Sequence, residues 1–198
     1  MARLLLASFN AGKVREYRAL FGNLGYQMVT LAEEGISEVA TESGTSYEQN
    51  AEIKACTYAK LAGLVTIADD SGLEVDALGG KPGLHSARFA GQHATDADRV
   101  GTLLAKLEGV PREKRTAHFK CVIAIATATG LLDLCHGECH GLITLEPEGG
   151  SGFGYDPVFY LPEAGKTLAE LPLEIKNQFS HRGRASQRAR QVLKQLHR

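Results

Sequence analysis

The sequence predicts an α/β protein with a mixed central sheet flanked by helices, and two observations indicate this class. Short apolar runs alternate with segments whose apolar residues recur at helical spacing, which is typical of strand–helix alternation. Two further strand-like segments, residues 116–127 and 131–135, are separated by a turn at Thr129 and Gly130, which predicts a hairpin. Parallel strands joined by helices and an antiparallel hairpin together make a mixed sheet.

The N-terminal third of the chain predicts one strand and two helices. Residues 4–7 form a short apolar run, and a polar segment separates this run from a helical pattern over residues 14–21. Either Thr45 or Ser46 can cap a second helix, which Gly63 ends. Each of these two predicted helices therefore follows a polar loop.

The apolar run at residues 65–68 predicts a buried strand that ends at Asp69 and Asp70. Two adjacent carboxylates repel each other and gain nothing from packing, so their presence indicates a binding site for a hard cation such as Mg²⁺. The structural alternative is a strand terminus at which one Asp caps the turn that contains Ser71 and Gly72. The sequence alone leaves both interpretations open.

The second half of the chain predicts two more helices. Thr95 and Asp96 open the first, whose apolar face extends to Leu107. Ser180 caps the second, and its apolar seam consists of Ala185, Ala189, Val192, Leu193 and Leu196.

Composition predicts a folded, soluble chain without an overall attraction to polyanions. The 198 residues are 43% hydrophobic and 23% charged with a formal net charge of -1, which lies outside the range of disordered chains. The first apolar run is shorter than the ~7 residues that a secretory signal needs, and no run approaches the ~18 that span a membrane. We therefore expect a cytoplasmic protein with no membrane partner.

The cysteines have two interpretations. Cys135 and Cys139 flank His136 and Glu138 in a pattern similar to a metal-ligand cluster, but their spacing differs from that of zinc and haem motifs. An ordinary strand that carries small apolar thiols is the favoured interpretation. Reduced thiols agree with a cytoplasmic location.

The segment between the first strand and the first helix predicts a phosphate-binding loop. It consists of Ser8, Phe9, Asn10, Ala11, Gly12 and Lys13. Free backbone N–H groups and the helix dipole favour an anion at such a helix start. It is not a Walker A loop, because the first Gly and the final Ser or Thr are missing. A capped helix start with a solvated lysine is the structural alternative.

Two C-terminal segments carry further candidate groups. Residues 152–157, with the sequence GFGYDP, offer aromatic rings on a glycine-rich backbone, which suits stacking of a nucleobase; core aromatics in a tight turn are the alternative. Lys176, His181, Arg182 and Arg184 supply donors for phosphate or for a base edge. The basic run from Ser180 is either an RNA-binding face or a solvated helix face, and we favour the second.

Together these segments resemble the inosine triphosphate pyrophosphatase family, the deaminated-purine triphosphatases that include the bacterial dITP/XTP enzymes. The likeness covers nearly the whole chain. The matching motifs are S/T-x-N-x-x-K at residues 8–13, E-x-G-x-S/T-F/Y-x-x-N-A at 42–51, A-D-D-S-G-L at 68–73, P-G-x-x-S-A-R at 82–88, G-F-G-Y-D-P at 152–157 and S-H-R-G at 180–183. Six uncommon motifs in one order make chance agreement implausible.

The resemblance implies one pyrophosphatase domain over residues 1–198, with two lobes and an active-site cleft between them, in a homodimer. It implies hydrolysis of ITP, dITP or XTP to the monophosphate and pyrophosphate with Mg²⁺ as cofactor. Ser8 to Lys13 would hold the triphosphate, Glu42 and Asp70 would bind the metal, and Asp70 would be the catalytic residue that activates water. The remaining substrate-binding residues would be Ser71, Phe153, Gly154, Tyr155, Asp156, Lys176, His181 and Arg182.

Two departures and two alternatives accompany this resemblance. Thr41 stands where relatives often have a second glutamate, and Ile175 replaces a common acidic residue before Lys176. A septum-inhibitor-type nucleotide pyrophosphatase shares the fold and the opening loop, but the GFGYDP and SHRG segments argue against it. A non-catalytic nucleotide sensor or RNA-binding protein would use the same loop without turnover. The presence of both Glu42 and Asp70 favours an enzyme. The partner that the resemblance implies is a purine nucleoside triphosphate, and we do not expect nucleic acid.

Overall fold

The computed structural model describes residues 1–196 and confirms a mixed sheet flanked by helices. Its strands are β1 (Arg3–Leu6), β2 (Gln27–Thr30), β3 (Val65–Val75), β4 (Lys81–Pro82), β5 (Thr116–Thr127), β6 (Gly130–Ile143), β7 (Phe159–Leu161) and β8 (Lys166–Thr167). Its α-helices are α1 (Ala11–Phe21), α2 (Tyr47–Ala62), α3 (Asp96–Lys106), α4 (Leu173–Phe179) and α5 (His181–Leu196).

The sheet combines parallel and antiparallel pairs. Its hydrogen-bonded order is β2-β1-β3-β5-β6-β7-β8, and β4 pairs with β3. Strand β1 is parallel to both β2 and β3, whereas β4, β7 and β8 pair antiparallel with their neighbours. Because parallel neighbours need a crossover, α1 connects β1 to β2 and α2 connects β2 to β3. This connectivity places the start of α1 directly after β1.

The chain forms two compact units. The first contains Met1–Asp70, Cys121–Gly137 and the chain from Arg182 onward, and the second contains Ser71–Lys120 and Glu138–His181. The core of the first includes Leu4, Leu6, Tyr17, Ile67, Ile123 and Leu193. The core of the second includes Leu73, Leu103, Phe119, Tyr155 and Phe159. The two-lobed arrangement with a cleft stays a prediction.

Local capping chemistry determines the predicted helix boundaries. Ser46 caps α2 by accepting the Gln49 N–H, and Gly63 ends this helix in the left-handed conformation with φ 66°. Thr95 and Asp98 form a reciprocal capping box on α3. Within the described chain, no helix combines the length and the apolarity that crossing a bilayer would require.

The structure corrects the predicted end of β3. This strand continues to Val75, so Asp69 and Asp70 lie within it and not at its terminus. Successive strand residues point to opposite faces, which separates the two carboxylates. Each has its own cation: the Lys13 ammonium lies 2.9 Å from Asp69 Oδ2, and the Lys54 ammonium lies 3.3 Å from Asp70 Oδ1. The prediction that the strand ends at these two residues is therefore wrong, and a role of either carboxylate in binding a cation stays a prediction.

Strand β6 contains the whole cysteine–histidine segment. It extends well past its predicted end at Cys135. Cys135 and Cys139 are buried while His136 and His140 are exposed, so thiols and imidazoles occupy opposite faces. A ligand cluster needs its donors on one face, whereas small buried thiols fit an ordinary strand. All four cysteines are free thiols, and the strand interpretation is confirmed.

The C-terminal region differs from its prediction in two respects. Helix α4 was not predicted, because seven residues are too few for a clear helical period. Leu196 is 45% exposed, so the buried seam of α5 ends at Leu193 and the prediction for Leu196 is wrong. The basic run is not uniformly solvated either, since Arg182 is buried and Arg190 donates to the Leu20 carbonyl. Arg198, the last basic residue of this run, lies outside the described residues.

Close approach of β6 and β7 predicts an asymmetry between two glycines. A methyl group at Gly141 would meet the Tyr160 carbonyl oxygen and, at 2.7 Å, the Phe159 ring. We expect Gly141→Ala to lower the free energy of unfolding by about 1–3 kcal/mol through overpacking. Gly101 lies within α3, and apart from its chain neighbours and the backbone of its own helix no described heavy atom lies within 4 Å of an added methyl, so Gly101→Ala should stabilise by about 1 kcal/mol. Urea unfolding of both variants measures the difference, and equal effects would contradict it.

Candidate active site

The loop after β1 delivers polar groups to the N-terminus of α1. The Asn10 side chain caps this helix: its Oδ1 accepts the Lys13 N–H at 3.0 Å, and the Asn10 N–H donates to Ser8 Oγ at 3.2 Å. The first turn of α1 contains no acidic residue, so no carboxylate there competes for its N–H groups. The start of α1 is therefore capped by Asn10 and has no acidic side chain in its first turn.

Lys13 is not the solvated lysine of the structural alternative, because it joins a buried network of charges. Its ammonium lies 2.9 Å from Asp69 Oδ2, and Arg182 Nη2 lies 3.6 Å from the same oxygen. Arg182 Nη1 donates to Glu16 Oε2 at 2.6 Å. Asp69, Glu16 and Arg182 are each at most 3% exposed. Two negative and two positive side chains thus neutralise one another, as buried charges require.

Asp69 is held ionised by its surroundings. Burial alone would raise its pKa, but Lys13, Arg182 and Lys54 outweigh burial and hold the pKa of Asp69 well below its usual range. The neighbouring Cys121 thiol lies 3.9 Å from Asp69 Oδ2, and burial raises its pKa to about 12. Asp69 is therefore a poor proton acceptor and acts as a counter-ion for the two cations.

Lys54 connects Glu42 and Asp70. Its ammonium lies 3.2 Å from Glu42 Oε1 and 3.3 Å from Asp70 Oδ1. Asn50, one helical turn earlier on α2, donates from Nδ2 to Asp70 Oδ2 at 3.2 Å and accepts the Gly44 N–H at 2.9 Å. Helix α2 therefore positions both acids. It contacts Asp70 directly, and through Asn50 it also holds Gly44 in the loop that contains Glu42.

Asp70 has an environment opposite to that of its neighbour. Burial raises the pKa of Asp70 and the charge of Glu42 adds to this, against the lowering effects of Lys54 and Lys13. The net pKa is above its usual value, whereas that of Asp69 is below. Environments that separate the pKa values of two carboxyl groups are typical of sites where one is the base and the other is not.

Glu42 and Asp70 fit a divalent cation. Both carboxylates lie within 3.3 Å of one ammonium, so their oxygens converge on a small volume that already favours positive charge. Hard oxygen donors of this kind suit Mg²⁺, which takes one or two carboxylates and completes its coordination with water and phosphate.

The GFGYDP segment, in the second unit, folds around Asp156. Lys176 donates to Asp156 Oδ2, which also accepts the Phe153 N–H at 2.8 Å. The Lys176 ammonium lies 5.2 Å from the Phe153 ring centroid, in cation–π geometry. Gly152 has a φ of 79°, and a methyl group there would collide with the Asp156 carboxylate. The structure therefore brings Phe153, Asp156 and Lys176 together.

The other predicted residues of this unit have mixed environments. Tyr155 is 4% exposed and its hydroxyl donates to the Ser86 carbonyl at 2.9 Å, so its ring is a core aromatic. The Gly154 N–H donates to Asp96 Oδ2 at 2.7 Å. The His181 ring is buried and stacks on Phe119, with centroids 4.5 Å apart. Ser71 is half-buried and follows Asp70 in β3.

Sequence reasoning missed Lys54 and Glu16. Lys54 had a usable signal, because it lies four residues after the motif residue Asn50 and therefore on the same helix face. Glu16 had none, since its partner Arg182 lies 166 positions away. A surface groove of about 500 Å³ also adjoins the loop, lined by Ser8, Phe9, Ala11, Val14, Arg15, Arg18, Thr30 and Ala32. This groove shares Ser8, Phe9 and Ala11 with the predicted phosphate-binding loop but includes neither Lys13 nor the carboxylates.

Comparisons with known proteins identify the family of this chain. The dITP/XTP pyrophosphatase of Desulforamulus reducens is 48% identical, covering 98% of this chain and 97% of that protein. That of Methylococcus capsulatus is 51% identical, covering 93% and 92%. The solved structure of a HAM1 protein from Coxiella burnetii superposes with a TM-score of 0.87 at 41% identity, covering 98% of this chain and all of that chain. The model of the Ham1 family matches residues 4–192. The predicted resemblance is confirmed, and the chain belongs to the Ham1 family.

Proposed function

We propose that this chain hydrolyses non-standard purine nucleoside triphosphates, ITP, dITP or XTP, to the monophosphate and pyrophosphate. The observation that carries the proposal is the convergence of Glu42 and Asp70 on one cation position in the unit that also holds the Asn10-capped loop and Lys13. The names of the dITP/XTP pyrophosphatases that match nearly the whole chain support the substrate class.

Asp70 is the proposed general base. Water attacks the α-phosphorus, the bond from this phosphorus to the bridging oxygen of the β-phosphate breaks, and pyrophosphate leaves while Asp70 takes the proton of the water. Asp70 suits this role because it is only partly buried and is oriented by Asn50, whereas Asp69 is enclosed by Lys13 and Arg182. A divalent cation held by Glu42 and Asp70, which we propose to be Mg²⁺, would neutralise charge on the phosphate oxygens.

The remaining residues have proposed roles in binding. The residues from Ser8 to Lys13 hold the triphosphate through the N–H groups of the first turn of α1 and through the Lys13 ammonium. Phe153 offers a partly exposed ring for the base. The substrate-binding roles of Ser71, Gly154, Tyr155, Asp156, Lys176, His181 and Arg182, the homodimer and the cytoplasmic location stay predictions of the sequence.

Substrate choice tests the proposed function. We expect pyrophosphate release from ITP, dITP and XTP, and release from ATP that is lower by roughly 10⁴-fold, because a site that donates to a 6-keto oxygen leaves that donor unpaired against a 6-amino group. Steady-state pyrophosphate assays with and without Mg²⁺ measure this. Binding of ITP without any pyrophosphate release would instead support the non-catalytic nucleotide sensor.

Substitution of the two aspartates should separate catalysis from stability. We expect Asp70→Asn to remain folded and to lose about 10²- to 10⁴-fold in turnover, since it removes the base. Asp69→Asn should lower the free energy of unfolding by about 3–5 kcal/mol, because Lys13 and Arg182 lose their buried counter-ion. Turnover at saturating Mg²⁺ and thermal melting distinguish the variants. Asp70→Asn with more than about a tenth of wild-type turnover would refute the base assignment.

A second pair of substitutions should separate phosphate binding from base recognition. Lys13→Ala should lower kcat/KM for ITP and ATP by the same factor, because a triphosphate contact carries no information about the base. Arg182→Lys keeps a cation beside Glu16 and Asp69 but loses the planar fork of donors, so we expect the ratio of ITP to ATP kcat/KM to fall at least about tenfold. An unchanged ratio would refute base recognition by Arg182.

A further inference from the structure

Lys54 occupies the point at which the two proposed metal ligands converge. Its ammonium contacts an oxygen of Glu42 at 3.2 Å and one of Asp70 at 3.3 Å, and its side chain is only 12% exposed. A cation bound by the same two oxygens would lie within contact distance of this ammonium. Two positive charges so close together repel strongly in a poorly solvated site.

We propose that Lys54 is an exchangeable counter-ion, which neutralises Glu42 and Asp70 in the metal-free protein and is displaced when a divalent cation binds. The inference rests on the proposed function for the identity of the metal ligands. Without a cation, the charge of Asp70, whose side chain is 13% exposed, would be opposed by that of Glu42, whose side chain is 42% exposed, at a cost in stability. Lys54 removes that cost, and metal binding then becomes an exchange of one cation for another.

The construction of α2 agrees with such an exchange. The lysine side chain has four rotatable carbon–carbon bonds and carries a compact charge, so its ammonium can leave without moving the helix. Asn50, one turn earlier, is 6% exposed and stays fixed by its bonds to Gly44 and Asp70. Asn50 therefore keeps the acids in place while Lys54 moves. In this scheme the affinity for metal is lowered by the free energy of the Lys54 contacts.

Metal affinity measured without nucleotide tests this proposal. We expect Lys54→Met to bind Mn²⁺ about tenfold more tightly than the wild type, because no ammonium has to be displaced. Titration of Mn²⁺ followed by the EPR signal of the free ion measures this independently of turnover. Lys60→Met, an exposed lysine on the same helix, is the matched control and should bind like the wild type.

Other outcomes of these titrations would refute the proposal. If Lys54 only orients the two acids, Lys54→Met binds Mn²⁺ as the wild type does or more weakly, and the exchange is refuted. Should Lys54→Met fail to fold, Lys54→Gln keeps an amide donor without charge and must show the same tightening. Glu42→Gln tests the underlying assignment: unchanged Mn²⁺ affinity in this variant refutes the metal site, whereas weaker binding with no tightening in Lys54→Met refutes the exchange alone.

Discussion

The candidate site in the first unit depends on one buried carboxylate, that of Asp69. Its Oδ2 lies near both Lys13 and Arg182, which come from α1 and α5 respectively. A buried ammonium or guanidinium without a counter-charge would be costly, so Asp69 makes it possible for two cations to occupy the interior beside the loop that we propose binds phosphate. Glu16 completes the balance by pairing with Arg182. Lys13 and Arg182 are thus matched by Asp69 and Glu16 in a charge-balanced buried cluster.

Strand geometry explains how two neighbouring aspartates acquire different chemistry. Adjacent residues of β3 face opposite sides of the sheet, so Asp69 contacts Lys13 while Asp70 contacts Asn50 and Lys54. One carboxyl group is enclosed by cations and the other is paired with a single ammonium beside a second acid. A dipeptide that looks like one metal-binding unit in the sequence is therefore a counter-ion followed by a candidate base. This division needs no special loop, only the pleat of a strand.

The fold class, the caps of α2 and α3 and the loop before α1 could be predicted because each depends on residues that are close in sequence. Ser46 and Gly63 act through their own turns. The full length of β3 could not be predicted, because the charges of Asp69 and Asp70 end the apolar run and only distant cations make them compatible with a strand. The pairing of Glu16 with Arg182 spans 166 positions and follows no local period. Features that depend on neighbouring residues could thus be predicted, whereas the pairing of charged side chains that are distant in sequence could be seen only in the folded chain.

The two bonds of Asn50 impose a restriction on what can stand at that position. Its amide oxygen faces the Gly44 N–H and its amide nitrogen faces the Asp70 carboxylate, so the group must accept on one side and donate on the other. An aspartate has the same shape but would set two like charges against each other, and an alanine would release both the loop and the strand. Gly44 is equally constrained, since a methyl group there would lie 2.7 Å from the Asn50 oxygen. A single uncharged side chain thereby joins the loop that follows Glu42 to the carboxylate of Asp70.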